Sequence, residues 1–180
     1  MKKINLLSFA FICTLTSLFI TSCSSGAWYS IDNPTDKEIS VIIDGKAPIK
    51  LAPEEFMRTE DYLSFGEHTI KVDGGEEVKF NVDKDHVMLN PTLSTYVKVL
   101  QEYGSGLASS DNDTTIVIDG KKYEGPFPLV TSDPIIYTGD LNFAVDKPFK
   151  DEIETSKAGT VIMKKLFRKE EFIDFYKKEY

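Results

Sequence analysis

Few side chains in this sequence have the types and spacing that chemistry needs. There are two histidines, two cysteines and one tryptophan among 180 residues. With His68 and His86 a Ser-His-Asp set is combinatorially open. However, no Gly-x-Ser-x-Gly elbow and no helical Ser-x-x-Lys marks a nucleophile. Asp83-Lys84-Asp85-His86 gathers three potential metal ligands. Alternate strand residues point to opposite faces, so Asp83 and Asp85 could converge while His86 would need a turn. Asp111-Asn112-Asp113 has the opening spacing of a calcium loop but lacks the glycine at the sixth place and the glutamate at the twelfth. Gly74-Gly75 and Gly104-Ser105-Gly106 are not followed by Lys-Ser/Thr and a helix, as a phosphate loop would be. Paired carboxylates for sugar cleavage can be drawn in any chain with 29 acidic residues, so their presence selects nothing. No catalytic residue, metal ligand or cofactor is expected from these patterns.

The cysteines are more informative. Met1-Lys2-Lys3 is a short basic start, residues 4–20 are an apolar run, and Thr21-Ser22 are small residues before Cys23. Lysines held on the cytoplasmic side and an apolar run that partitions into lipid are the working parts of a secretion signal. Its end, Leu18-Phe19-Ile20-Thr21-Ser22-Cys23, resembles the lipobox of bacterial lipoproteins. That resemblance implies diacylglycerol on the Cys23 thiol, cleavage after Ser22 and acylation of the new amino group. An apolar run of this length could also just span a bilayer uncleaved. A cysteine at its end, followed by a polar Ser-Ser-Gly linker, favours the lipidated form. By the same resemblance, Ser24 rather than an aspartate after the cysteine implies the outer membrane. The acid-poor stretch 24–27 favours its periplasmic face. Cys13 leaves with the leader and Cys23 is consumed by lipid, so disulfides, thiolate metal sites and cysteine nucleophiles are excluded from the mature chain.

Removing the leader also sharpens the charge. The whole chain carries 21 basic and 29 acidic residues for a net −8; without Lys2 and Lys3 the balance is −10. A general basic surface for nucleic acid or anionic lipid is thereby disfavoured. The length suits one domain, and a composition of 41% hydrophobic and 28% charged residues argues against disorder. The expected organisation is a signal peptide at 1–22, a lipidated start and linker at 23–27, and one β-rich domain at 28–180 with a sub-boundary near 104–115.

From residue 28 to about 82 the pattern is short alternating runs broken by turn residues, which predicts strands. Ile39, Val41 and Ile43 share one face, and Asp44-Gly45 closes the run as a hairpin turn. Residues 66–72 and 77–82 predict a second hairpin around Asp73-Gly74-Gly75-Glu76. Within the ambiguous segment 52–63, Pro53-Glu54-Glu55 could open a helical turn and Arg58 to Leu63 could be a strand. Val41-Ile42-Ile43-Asp44-Gly45-Lys46 returns as Ile116-Val117-Ile118-Asp119-Gly120-Lys121, with Ile70-Lys71-Val72-Asp73-Gly74 as a looser copy. Either a β unit is duplicated, or a β-branched run ending in Asp-Gly is simply a favourable hairpin. Over about 40 residues the pattern also resembles PEGA-like β-sandwich modules of envelope proteins: the Asp44-Gly45 run, Leu51-Ala52-Pro53 and Phe65-Gly66-Glu67-His68-Thr69-Ile70. It departs from them at 54–64. The resemblance implies a fold and a binding or spacer role. At the other end, residues 164–180 are the best helix candidate, with the helix proper at about 168–179. Phe172, Phe175 and Tyr176 share a stripe, acids sit in its first turn and lysines in its last. The expected fold class is mainly β, an antiparallel sandwich-like domain of hairpins with a C-terminal α-helix.

What remains for function is binding. Trp28, Tyr29, Tyr62, Tyr96 and Tyr123 are the candidate binding face, since aromatic rings supply contact area at low entropy cost. The expected activity is a non-enzymatic binding or scaffolding lipoprotein. It would be tethered to the membrane by its N-terminal lipid and would meet an envelope protein or polymer. A carboxylate-dependent periplasmic hydrolase and an inhibitor or immunity lipoprotein are the alternatives. Replacing Cys23 with Ala is expected to abolish metabolic labelling with palmitate and to delay processing; unchanged labelling would overturn the anchor.

Overall fold

Alternation of apolar and polar side chains decides most of the strands, and three Asp-Gly turns decide where several of them reverse. In the computed structural model, residues 26–104, 113–150, 152–153 and 160–180 are described. The strands are β1 (Gly26–Asp32), β2 (Ile39–Ile43), β3 (Ile49–Leu51), β4 (Phe56–Ser64), β5 (Gly66–Val72), β6 (Glu77–Val82) and β7 (His86–Leu89). They continue as β8 (Tyr96–Tyr103), β9 (Thr114–Ile118), β10 (Lys121–Gly125), β11 (Leu129–Thr131), β12 (Ile135–Tyr137) and β13 (Val161–Arg168), before helix α1 (Lys169–Glu179). The fold is mainly β with antiparallel pairing and one C-terminal helix, as the sequence predicts. Cys23 lies outside the described residues.

Four sheets stack into layers. Sheet A (β12-β7-β1-β4) faces sheet B (β3-β2-β5-β6), and Ile31, Leu63, Val87 and Leu89 of A pack against Val41, Leu51, Ile70 and Val82 of B. The opposite side of sheet A contributes Met88 and Ile136 to a second cluster with Tyr96 and Leu166 of sheet C (β11-β8-β13). On its far side sheet C turns Val97, Val99 and Phe167 toward the β9–β10 hairpin and α1, around Phe127 and Phe172. Period-2 alternation thus lets one strand serve two cores: Tyr96 and Leu166 face inward, Val97 and Phe167 outward. β8 and β9, on either side of 104–115, share that outer cluster.

The three Asp-Gly pairs adopt one backbone conformation, with φ of 51° and 66° at Asp44-Gly45, 48° and 73° at Asp73-Gly74, and 50° and 76° at Asp119-Gly120. Positive φ at both central positions is the turn whose twist matches flanking strands. Only at Asp119-Gly120 does it close a two-residue hairpin, Ile118 standing opposite Lys121. At the other two sites the aspartate latches the antiparallel β2–β5 pair. Asp44 accepts from Thr69 N–H at 2.9 Å, and Asp73 accepts from Ser40 N–H at 2.7 Å. The repeated hexapeptide therefore marks a shared turn, with β2 inside a four-stranded sheet and β9 in a two-stranded one.

One difference from the sequence reading has a plain cause. Residues 164–168, expected to begin the helix, belong to β13, because the ladder from Val161↔Tyr103 to Arg168↔Tyr96 holds them extended. The strand expected from Arg58 to Leu63 lies within β4, with a turn at Pro53-Glu54 before it, and β4 pairs with β1 through a bulge opposite Tyr29, where the Thr59 hydroxyl donates to the Tyr29 carbonyl at 2.7 Å.

The layers are joined by a buried ion pair. Asp32, at the end of β1, has no exposed surface; Arg168 reaches it with Nη2 at 2.6 Å and Nε at 3.0 Å, and the Tyr96 hydroxyl donates at 2.5 Å. Arg168 also donates to the Glu54 carbonyl at 2.8 Å. Burial and the neighbouring carboxylate push the Tyr96 phenol far above its ordinary pKa, so it serves as a permanent donor. Arg168→Met strands the carboxylate and is expected to cost about 3–5 kcal/mol in urea unfolding, whereas Asp32→Leu/Arg168→Met together should recover much of that loss.

Candidate functional site

The five aromatic residues singled out in the sequence do not form one face. Trp28 and Tyr62 are 45% and 51% exposed, stand opposite each other on β1 and β4, and bring their ring centroids to 4.0 Å. Tyr29, Tyr96 and Tyr123, expected on a binding face, are instead buried core residues. The strand period sends Tyr29 between sheets A and B because Trp28 points out. Tyr96 is spent on Asp32. Tyr123 packs edge-on against Phe172 and Tyr176 beneath α1.

Beside the Trp28–Tyr62 pair, a cleft of about 510 Å³ opens on the face of sheet A that looks away from sheet B. Trp28 and Phe56 give it apolar lining from sheet A, with Arg58 on β4 and His86 on β7 to either side of β1, and Leu141, Asn142 and Lys147 come from the segment that covers it. The far wall is fixed to β13: Asn142 and Phe143 donate backbone N–H groups to the Lys164 carbonyl at 2.9 and 3.0 Å. Asp140 anchors the same segment to Lys98 at 3.0 Å and Lys164 at 3.2 Å. Burial opposes ionisation of Asp140, but the two lysines outweigh it and hold its pKa below the ordinary carboxylate value. Arg58 is paired with Asp146 at 3.0 Å. Sequence reasoning missed Phe56, Arg58, Asn142 and Lys147, which come together only in the folded chain.

The nearest approach to a catalytic set is Ser64, His68 and Asp44. His68 Nδ1 lies 2.7 Å from Asp44 Oδ2, while Nε2 lies 2.7 Å from the Ser64 carbonyl and 3.4 Å from its hydroxyl. A carbonyl oxygen can only accept, so Nε2 donates to the backbone and has no lone pair for the Ser64 hydroxyl. His68 is buried and stacked on Phe80, and the group joins the β2 turn to the β4–β5 corner. His86 is exposed beside Asp85 at 3.3 Å. Among the described residues no cluster of three or more His, Cys, Asp or Glu side chains could hold a metal. Asp111 and Asn112 lie outside them.

A larger cleft, about 590 Å³, lies between residues 145–150 and α1. Lys165 in its wall is 4% exposed, with carbonyls of Val145 at 3.3 Å and Ala144 at 3.4 Å and the Phe167 ring at 4.4 Å. Burial draws its pKa below the usual lysine value, against the pull of Glu171 and Asp146. Among the described residues, neutral carbonyls and an aromatic face thus cage this ammonium without an ion pair.

The chain matches no protein-family model, no curated protein and no solved structure.

Burial favours protonation of Asp44, but the Thr69 N–H and His68 outweigh it and hold its pKa below the ordinary value. The resulting stabilisation is complete above the unfolded carboxylate pKa, near 4, and is lost as pH falls through the lower folded value. Asp44→Asn is expected to cost about 1–3 kcal/mol at neutral pH and to flatten the acid limb of a stability–pH curve read by urea unfolding.

Proposed function

We propose that this chain is an envelope lipoprotein, held by acyl groups on Cys23 at the periplasmic face of the outer membrane. Its body is a non-enzymatic binding or scaffolding module. The anchor rests on the order of basic start, apolar run and small residues before Cys23. Among the described residues no helix is long and apolar enough to cross a membrane. Two or more acyl chains give stable attachment where one is marginal.

The binding role rests on one observation, the cleft on the open face of sheet A. Its floor is apolar, its rim carries hydrogen-bonding side chains, and its walls are set by a sheet and a strapped segment. A site of this kind recognises by contact area and a few placed polar groups. Its open form suits an extended segment of an envelope protein or polymer. Tethering raises the local concentration of such a partner without any new contact. The engagement of His68 Nε2 by the Ser64 carbonyl supports a role without nucleophilic catalysis.

A photo-crosslinking residue at Asn142 in the cleft and another at Val117, exposed on the β9–β10 hairpin, separate this surface from the rest. In intact envelopes the Asn142 probe is expected to capture one defined partner that the Val117 probe does not. Equal capture from both positions, or no partner together with turnover of a model substrate by the purified protein, would overturn the reading.

A further inference from the structure

We propose that the end of the body formed by Trp28, Tyr62 and Phe65 seats in the headgroup layer of a zwitterionic bilayer, so that the protein is held in one orientation rather than swinging on its lipid. This rests on the lipoprotein reading of Cys23 and adds a second, non-covalent membrane contact.

Three observations converge on that end. First, the three aromatic residues are exposed by 44–51%, and Trp28 and Tyr62 bring their ring centroids to 4.0 Å. Trp28 is opposite Tyr62, and Phe65 follows Ser64, the residue opposite Gly26. Indole and phenol rings place an apolar body and a polar tip across a membrane–water boundary, and Phe65 adds apolar area beside them. Second, the tether is short. Cys23 and Gly26 are three residues apart, and a chain spans at most about 3.6 Å per residue, so Gly26 lies within about 11 Å of the acylated residue whatever path the linker takes. The headgroup region on each side of a bilayer is of order 5–8 Å thick. Phe65 is therefore within reach of the headgroups, with the Trp28–Tyr62 pair two ladder positions beyond Gly26–Ser64.

Third, the charges around the cluster select the lipid. Glu60 and Asp61 precede Tyr62, Glu67 follows Gly66, and the Asp85 carbonyl accepts the Trp28 N–H at 2.8 Å. All four acidic side chains are exposed, so an anionic surface would repel this end, and apolar contact with neutral-headgroup lipid must supply the attraction.

Trp28 is the one tryptophan in the chain and reports its own surroundings. The full-length protein, purified from membranes, is reconstituted into phosphatidylcholine vesicles whose acyl chains carry bromine, a contact quencher of indole emission. Mass spectrometry of its N-terminal peptide reads the acylation of Cys23 independently. The expected result is an acylated Cys23, blue-shifted Trp28 emission and quenching by about half, weakened when anionic phosphatidylglycerol replaces part of the lipid. Tyr62→Ser/Phe65→Ser, both on exposed positions, should retain the far-UV dichroism and lose most of the quenching. An acylated chain whose Trp28 emission ignores the brominated lipid overturns the seat and leaves the anchor standing. An unacylated Cys23 peptide overturns both.

Discussion

Asp32 is a carboxylate with no exposed surface, and it is stable there only because Arg168 grips it with two nitrogens and Tyr96 completes its shell. These residues come from β1, β13 and β8, so the ion pair fixes the end of sheet A against the end of sheet C. Other placements follow from it. Arg168 is the last residue of β13, and α1 begins at the next position with Lys169 N–H donating to the Thr95 carbonyl at 3.1 Å. The helix is therefore aimed by the same residue that closes the ion pair, and its Phe172 enters the outer cluster. A buried pair of this kind adds little net stability over an apolar substitute. Its contribution is to penalise every arrangement that separates the partners.

What was legible in the sequence was local. Alternation at Ile39, Val41 and Ile43 gave the buried face of β2, and the Asp-Gly turns marked three reversals because few residue pairs accept positive φ twice. The signal failed where a distant partner decides the outcome. Residues 164–168 carry no strand signature strong enough to exclude a helix, and eight ladder pairs with β8 settle them. The parallel pairing of β1 with β7, Ile31 beside Leu89, leaves no trace in either strand alone. The two strands do share one sequence feature: Asn-Pro-Thr occurs at residues 33–35 and again at 90–92, just after each of them. Both asparagines are fully buried. Asn33 donates to the carbonyls of Lys37 and Ala52 at 2.7 Å, and Asn90 donates to those of Ser94 at 2.8 Å and Asp133 at 3.1 Å. Each uses its side-chain amide in place of backbone pairing to close a loop.

The candidate site was legible only in part for the same reason. Aromatic content shows that rings are available and says nothing about which side of a strand each occupies. Trp28 and Tyr62 are exposed because Ala27 and Leu63, their neighbours, fill the core. The cations were equally hard to place. Both arginines are committed to carboxylates, Arg58 to Asp146 and Arg168 to Asp32, and Lys98 and Lys164 share Asp140. Bidentate recognition of a phosphate or carboxylate ligand by arginine would have to break an existing pair. A ligand of the proposed cleft would accordingly be held without a free arginine, by apolar contact and hydrogen bonding.

If Cys23 carries the proposed lipid, the position of β1 has a mechanical consequence. With lipid on Cys23, any pull on the body enters at Gly26, the first residue of β1. That strand is interior to sheet A, hydrogen-bonded to β4 on one side and β7 on the other. The load is then shared in shear along two ladders and ends at Asp32, where Arg168 passes it to sheet C. An edge strand would be loaded through one ladder only and would peel more readily. The bulge opposite Tyr29 interrupts the β4 ladder, and there the Thr59 hydroxyl supplies the bond that the register shift removes. On the lipoprotein reading proposed above, the tether would therefore join the body at a strand that carries both the exposed Trp28 near its start and the buried ion pair at its end.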